Sequence, residues 1–158
     1  MKNVLFVCTG NICRSPMAEA LFREMVKGRA DYRVGSAGVS AMPGQPASAH
    51  TANILREKGV DLSAFRSRPL TLDLMEKATH IFAMAAHHLE AIEMDFPQAA
   101  GKAYLVSEFC AEDALRDQDV PDPIGMGRAA YDETREMLDK MLPSVLSYIE
   151  QTFPKNET

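Results

Sequence analysis

Apolar positions along the chain switch between two spacings. Val4-Leu5-Phe6-Val7 is a continuous apolar run, the pattern of a strand buried on both faces of a parallel sheet. Beyond residues 8–14, Met17, Ala20, Leu21, Met25 and Val26 recur every three or four residues. That spacing predicts a helix with Ser15 as N-cap, Pro16 at its first position and Gly28 as its stop. The order then repeats. Tyr32-Arg33-Val34 reads as a short strand, residues 35–46 as a Gly/Pro-bearing loop, and residues 48–58 as a helix ended by Gly59. A short helix over 72–78 leads to the strand His80-Ile81-Phe82-Ala83-Met84, and a helix over 86–94 stops at Phe96-Pro97. Residues 102–106 form the fourth strand candidate and 120–127 a Pro/Gly-rich loop. A last helix runs over 128–151 on an apolar face from Tyr131 to Ile149, and Pro143 should kink or split it.

Strand–helix alternation of this kind predicts a parallel α/β sheet with right-handed crossovers. Ligands in such sheets bind at the carboxyl ends of strands near a topological switch point, the place residues 8–14 occupy. The 158 residues suit one domain, 1–158, and 46% hydrophobic with 25% charged residues is ordinary for a globular chain. No apolar stretch approaches the ~18 residues that span a bilayer, and the run at residues 4–7 is too short for a signal-peptide core. No membrane contact is expected.

Three cysteines, an odd count without a secretory signal, fit a cytoplasmic protein better than a disulfide framework. Zinc fits Cys8 and Cys13 poorly, because no second Cys pair or spaced His pair completes a site. His50, His80, His87 and His88 read as helix-surface or packing residues. The net charge of −5 disfavours a nucleic-acid partner. It also conceals a split: residues 1–70 hold 10 Lys/Arg against 5 Asp/Glu, and residues 71–158 hold 7 against 17. An anion site belongs in the first half.

A cysteine at a strand end is, taken alone, a small buried hydrophobe. Here Arg14 follows at the sixth position after Cys8, directly before Ser15-Pro16 at a helix start. A short loop with inward N–H groups feeding a helix N-terminus makes an anion nest, and the small residues Thr9 and Gly10 suit its tight path. Arg14 offers a planar fork for two oxygens of a phosphoryl group. Positive potential at the base of the nest favours the Cys8 thiolate, aligned to attack phosphorus. No Gly-Lys-Ser/Thr follows, which excludes the ATP-type phosphate loop. The departing oxygen needs an acid, and the next step a base. Asp122, between Pro121 and Pro123 in the loop beyond the fourth strand, is the best candidate, with Asp119 a weaker rival.

Residues 7–19, Val-Cys-Thr-Gly-Asn-Ile-Cys-Arg-Ser-Pro-Met-Ala-Glu, closely resemble the signature of the low-molecular-weight protein-tyrosine phosphatases. The likeness continues through Ser36-Ala37-Gly38, Arg68, the third strand, Asp122-Pro123 and the last helix. It implies a three-layer α/β sandwich with a four-stranded parallel sheet flanked by helices. It also implies phosphomonoester hydrolysis with no metal or other cofactor, on a phosphorylated protein or peptide, by a monomer or weak dimer. In the roles the resemblance implies, Cys8 is the nucleophile, Arg14 the phosphate clamp and Asp122 the acid, then base. The amides of Thr9, Gly10, Asn11, Ile12, Cys13 and Arg14 would hold the oxygens. Asn11, Ser15 and Ser36 match positions that brace the loop, Ser15 by bonding the thiolate. Cys13 matches a second loop cysteine that can pair reversibly with Cys8, and its plain reading is loop packing.

Three departures accompany the likeness. Ile124-Gly125 stands where many members carry an aromatic pair, Phe65 near the place of a supporting His, and the 39–44 loop lacks an aromatic, with Met42 as a candidate wall. Together with Ala47-Ser48-Ala49-His50 and Arg66-Ser67-Arg68-Pro69-Leu70-Thr71, these traits resemble the branch with bacterial protein-arginine phosphatases. That branch has Thr where Ile12 lies, and Ile12 suits an aromatic ring. Phosphotyrosine hydrolysis is therefore expected, with phosphoarginine hydrolysis as the alternative. An arsenate reductase would need cysteines beyond the third strand, and residues 81–97 have none. A phosphocarrier would have to preserve the phosphocysteine that Arg14 and Asp122 are suited to discharge. Arg66 and Arg68 are either solvated charges or neighbours of the pocket rim.

Overall fold

Four parallel strands stand in the order β2-β1-β3-β4: β1 Lys2–Cys8, β2 Tyr32–Gly38, β3 His80–Ala83 and β4 Ala103–Leu105. The structure is a computed structural model and describes residues 1–153. Among the described residues, five α-helices join and cover the strands: α1 Arg14–Met25, α2 Ala49–Glu57, α3 Leu72–Lys77, α4 Ala86–Asp95 and α5 Arg128–Thr152. A 3-10 segment, Pro97–Lys102, leads into β4. The predicted α/β sandwich is the observed architecture.

The continuous apolar run of β1 divides its side chains between two cores. Val4, Phe6 and Cys8 face α1, α2 and α5, where Phe6 meets Phe22 edge-on at 5.5 Å. Leu5 and Val7 face the opposite layer with Met75, Ile81 and Ile92. Burial on both faces is why the run does not alternate with polar residues. No described helix is long and apolar enough to cross a membrane.

Two boundaries differ from the sequence expectation for a tertiary reason. β2 continues through Gly35-Ser36-Ala37-Gly38, which the sequence assigns to a loop, because these residues pair in register with β1 as far as Cys8 opposite Gly38. Their weak strand propensity is overridden by the need for small side chains. A Cβ on Gly38 would overlap the Thr9 carbonyl, and one on Gly35 would meet the Arg68 guanidinium at 2.7 Å. α1 begins at Arg14 with Cys13 at the N-cap position, so Ser15 lies within the first turn and its hydroxyl caps nothing. Pro16 is tolerated there because the first-turn amides have no intrahelical partner.

The split expected at Pro143 does not occur, and α5 is one helix of 25 residues. An interior proline costs ~3 kcal/mol. Met141, Leu142 and Val145 around it are essentially fully buried, and each contributes ~1.5–3 kcal/mol. Packing therefore outweighs the lost hydrogen bond.

The order β2-β1-β3 makes the carboxyl end of β1 the switch point of the sheet, since the chain leaves β1 for one side and returns on the other. Cys8 is the last residue of β1 and Arg14 the first of α1. The loop between them sits where a crevice must open.

Candidate active site

The 8–14 loop is held from outside by its carbonyls. Val39 N–H donates to the Cys8 oxygen at 2.9 Å, Ser40 to Thr9 at 3.0 Å, and Ser48 to Ile12 at 2.8 Å. The Cys13 oxygen accepts from the Met17 amide and the Thr51 hydroxyl. Among the described residues, no backbone or side-chain acceptor meets the amides of Thr9, Gly10, Asn11, Ile12 or Cys13. The Arg14 amide belongs to a helix first turn, where amides have no intrahelical acceptor. Unpaired amides this close to a helix N-terminus form an anion site. The left-handed turn the loop requires falls at Asn11, with φ 56°, and not at Gly10.

Asn11 tolerates that conformation because its side chain is fully satisfied. Its Nδ2 donates to Ser15 Oγ and Ser36 Oγ, both at 2.9 Å, and its Oδ1 accepts from the Arg68 amide at 3.0 Å. The Arg68 amide can only donate, so the carboxamide cannot be flipped and the polarity of the network is fixed. Ser36 Oγ–H therefore turns to Glu19 Oε1 at 2.7 Å, and Glu19 pairs with Arg23 at 2.8 Å. On the other branch Ser15 Oγ has accepted from Asn11. Its own proton is free for Cys8 Sγ, 2.8 Å away. A hydrogen bond donated to sulfur stabilises thiolate over thiol.

Arg14 is 3% exposed. Its guanidinium donates to the Val120 carbonyl at 2.9 Å and to Thr9 Oγ1 at 3.4 Å, and lies 3.6 Å from Asp122 Oδ2. Asp122 is exposed, and its Oδ1 accepts from the Ile124 amide at 3.1 Å. Cys8, Thr9, Gly10, Ile12, Cys13, Arg14, Asp122 and Ile124 line one cavity of about 170 Å³. A larger hollow of about 700 Å³ beside the end of α1, lined by residues such as Arg23, Lys27 and Tyr32, includes none of Cys8, Arg14 and Asp122.

The structure thus brings Cys8, Arg14 and Asp122 together, with Ser15 and Ser36 beneath the loop. Asp119 does not line the Cys8 cavity, and its carboxylate accepts from the Ala86 amide at the start of α4. Arg68 lies beneath the loop and away from the rim, with its Nε on the Ser36 carbonyl at 2.9 Å. Arg66 turns to the carbonyls of Ser63 and Phe65. Met42 is 68% exposed and does not line the cavity. Cys13 is buried, and desolvation pushes its thiol up, against the hydrogen bond from Tyr131.

Two residues gain a place that the sequence reading did not give them. Glu19 anchors the loop network through Ser36, and only its position in the 7–19 segment hinted at it. His88, read from sequence as packing, is fully buried and meets Thr9 Oγ1 at 2.9 Å. The available signal was its position one turn beyond β3, whose end adjoins that of β1.

Known proteins resemble this chain over most of its length. A family model described as low molecular weight phosphotyrosine protein phosphatase matches residues 3–155. A protein-arginine-phosphatase of Geobacillus stearothermophilus is 40% identical over 142 residues, covering 87% of this chain and 92% of the relative. A solved mutant of the arginine phosphatase YwlE with a phosphorylated active-site serine superposes with a TM-score of 0.87 at 35% identity, covering 96% and 97% of the two chains. A low molecular weight protein tyrosine phosphatase from T. tengcongensis does so with 0.85 at 35% identity, covering 94% and 99%.

Proposed function

The chain belongs to the low molecular weight phosphotyrosine protein phosphatase family, cysteine-dependent hydrolases that act on phosphorylated proteins, and from that premise we propose that it hydrolyses phosphotyrosine through a phosphocysteine on Cys8. The observation that carries the reading is the loop itself. The carbonyls of Cys8, Thr9, Ile12 and Cys13 are engaged outward, the amides from Thr9 to Cys13 meet no acceptor among the described residues, and Cys8 and Arg14 share the cavity.

In the first step the Cys8 thiolate attacks phosphorus and the bond from phosphorus to the tyrosyl oxygen breaks. Asp122, protonated, gives its proton to that oxygen, so a neutral phenol leaves. In the second step Asp122, now a carboxylate, takes a proton from water as the water oxygen attacks phosphorus. The S–P bond breaks, orthophosphate departs and the thiolate returns. Charge on the phosphoryl oxygens is met by the amides of Thr9, Gly10, Asn11, Ile12, Cys13 and Arg14 and by the Arg14 fork. Fixed donors of this kind supply the largest share of such stabilisation. The Ser15 hydroxyl steadies the sulfur both as nucleophile and as leaving group. No metal is required in this scheme, because amides and guanidinium provide the positive field.

Ile12 and Ile124 give the cavity aliphatic walls on which an aromatic ring can lie. A second reading, phosphoarginine hydrolysis, is favoured by the 40% identity to an arginine phosphatase and uses the same catalytic residues. Kinetics on phosphotyrosine and phosphoarginine peptides separate the two. We expect the wild type to prefer phosphotyrosine and Ile12→Thr to move the ratio toward phosphoarginine. A wild type that prefers phosphoarginine would transfer the assignment. We further propose a cytoplasmic monomer or weak dimer acting on phosphoprotein, without nucleic-acid or membrane partners. Three unpaired thiols suit a reducing compartment.

A further inference from the structure

His88 is fully buried, yet nothing in the catalytic scheme uses it. Its Nδ1 accepts from the Ala85 amide at 3.0 Å. A backbone amide only donates, so Nδ1 carries no proton and the neutral ring holds its proton on Nε2. That N–H faces Thr9 Oγ1 at 2.9 Å. The Arg14 guanidinium, another pure donor, reaches the same oxygen at 3.4 Å. Two donors fill the lone pairs of the Thr9 oxygen. The hydroxyl proton is therefore left over, and no described protein acceptor takes it. Thr9 lines the cavity with Cys8 and Arg14.

We infer that His88 is a positioning residue that sets the Thr9 hydroxyl as a donor to an oxygen of the bound phosphoryl group. The inference rests on the phosphatase reading and adds a side-chain donor to its backbone nest. The arrangement requires a neutral ring, since an imidazolium would set two donors face to face at Ala85 and a second cation beside Arg14. Burial, then Arg14, then His87 hold the His88 pKa down to about 3, in agreement with that geometry.

A purely structural role would confine His88 to the start of α4. The two side-chain amides separate the roles. Asparagine can still accept from the Ala85 amide but is too short for Thr9, whereas glutamine places a donor near Nε2. The test is calorimetric titration of orthophosphate into Cys8→Ser protein, where no turnover intervenes. Thr9→Val and His88→Asn in that background should each weaken binding about tenfold, the scale of one lost hydrogen bond to a charged group. The double variant should be no weaker than the poorer single one, and His88→Gln should stay near the parent. Parent affinity in Thr9→Val or His88→Asn, or losses that multiply in the double variant, would overturn the inference and leave the phosphatase reading standing. If His88→Asn does not fold, Thr9→Val is read with His88→Gln: a tenfold loss in the first with parent affinity in the second supports the inference, and parent affinity in Thr9→Val or a tenfold loss in His88→Gln overturns it. A Cys8→Ser parent that binds no orthophosphate would remove both readings together.

Discussion

The Arg14 guanidinium donates to the carbonyl oxygen of Val120 across 106 residues of sequence, at 2.9 Å. One side chain thereby ties the phosphate loop to the loop that carries Asp122, whose carboxylate lies 3.6 Å from it. The proposed clamp and the proposed proton donor thus meet through one side chain. Arg14→Lys keeps the charge but loses the planar fork and the tether together. It should lower kcat/KM about 100-fold, or ~3 kcal/mol. Steady-state kinetics on an aryl phosphate checks this, and a loss under tenfold would mean that charge alone suffices.

Asp122→Asn should show its effect through the leaving group. A general acid contributes roughly 100-fold or more when the departing oxygen is basic. For phenyl phosphate kcat/KM should fall about that much, and for p-nitrophenyl phosphate far less. The comparison uses kcat/KM because that constant ends at formation of the phosphocysteine and excludes the later water step. Equal losses on both substrates would point to another acid.

Ser15→Ala removes the only donor on the Cys8 sulfur among the described residues. Sulfur must leave as thiolate in the second step, so that step should suffer. We expect kcat to fall about tenfold, in line with a hydrogen bond to a charged group. Stopped-flow traces should also show a burst of phenol release larger than in the wild type. An unchanged kcat would show that the loop amides stabilise the sulfur unaided.

His88 links the site to acid stability. Its folded-state pKa of about 3 lies below the ~6.5 of an unfolded chain because of burial, Arg14 and His87. Above pH 6.5 the ring is neutral in both states. Between 6.5 and about 3 only the unfolded chain takes up this proton, so stability is lost as pH falls through that window. His88→Gln removes the dependence. The Tm advantage of wild type over His88→Gln at pH 7 should shrink steadily toward pH 4, and a constant difference would contradict the assignment.

The sequence disclosed what depends on local spacing. Cys8 and Arg14 were legible because six positions of chain fix their approach, and β1 because a buried parallel strand cannot alternate. Asp122 was legible as a candidate acid held between two prolines, in a loop beyond the fourth strand. What depends on distant partners was not legible. Ser15 looks like a helix cap until the Cys8 sulfur and the Asn11 carboxamide claim its hydroxyl. Residues 35–38 look like a loop because their smallness reads as weak strand propensity. They serve instead to let β2 approach Thr9 and Arg68. His88 lies 79 residues from Thr9, and no local pattern distinguishes it from the neighbouring His87.

The central claim is that Cys8 carries the phosphoryl group. Rapid acid quench of the Asp122→Asn protein during turnover of p-nitrophenyl phosphate, followed by proteolysis and mass spectrometry, tests it most directly. The account predicts one phosphorylated peptide from that protein, modified at the Cys8 sulfur, and no turnover by Cys8→Ser. A phosphoryl group on another residue, or full turnover in Cys8→Ser, would contradict it.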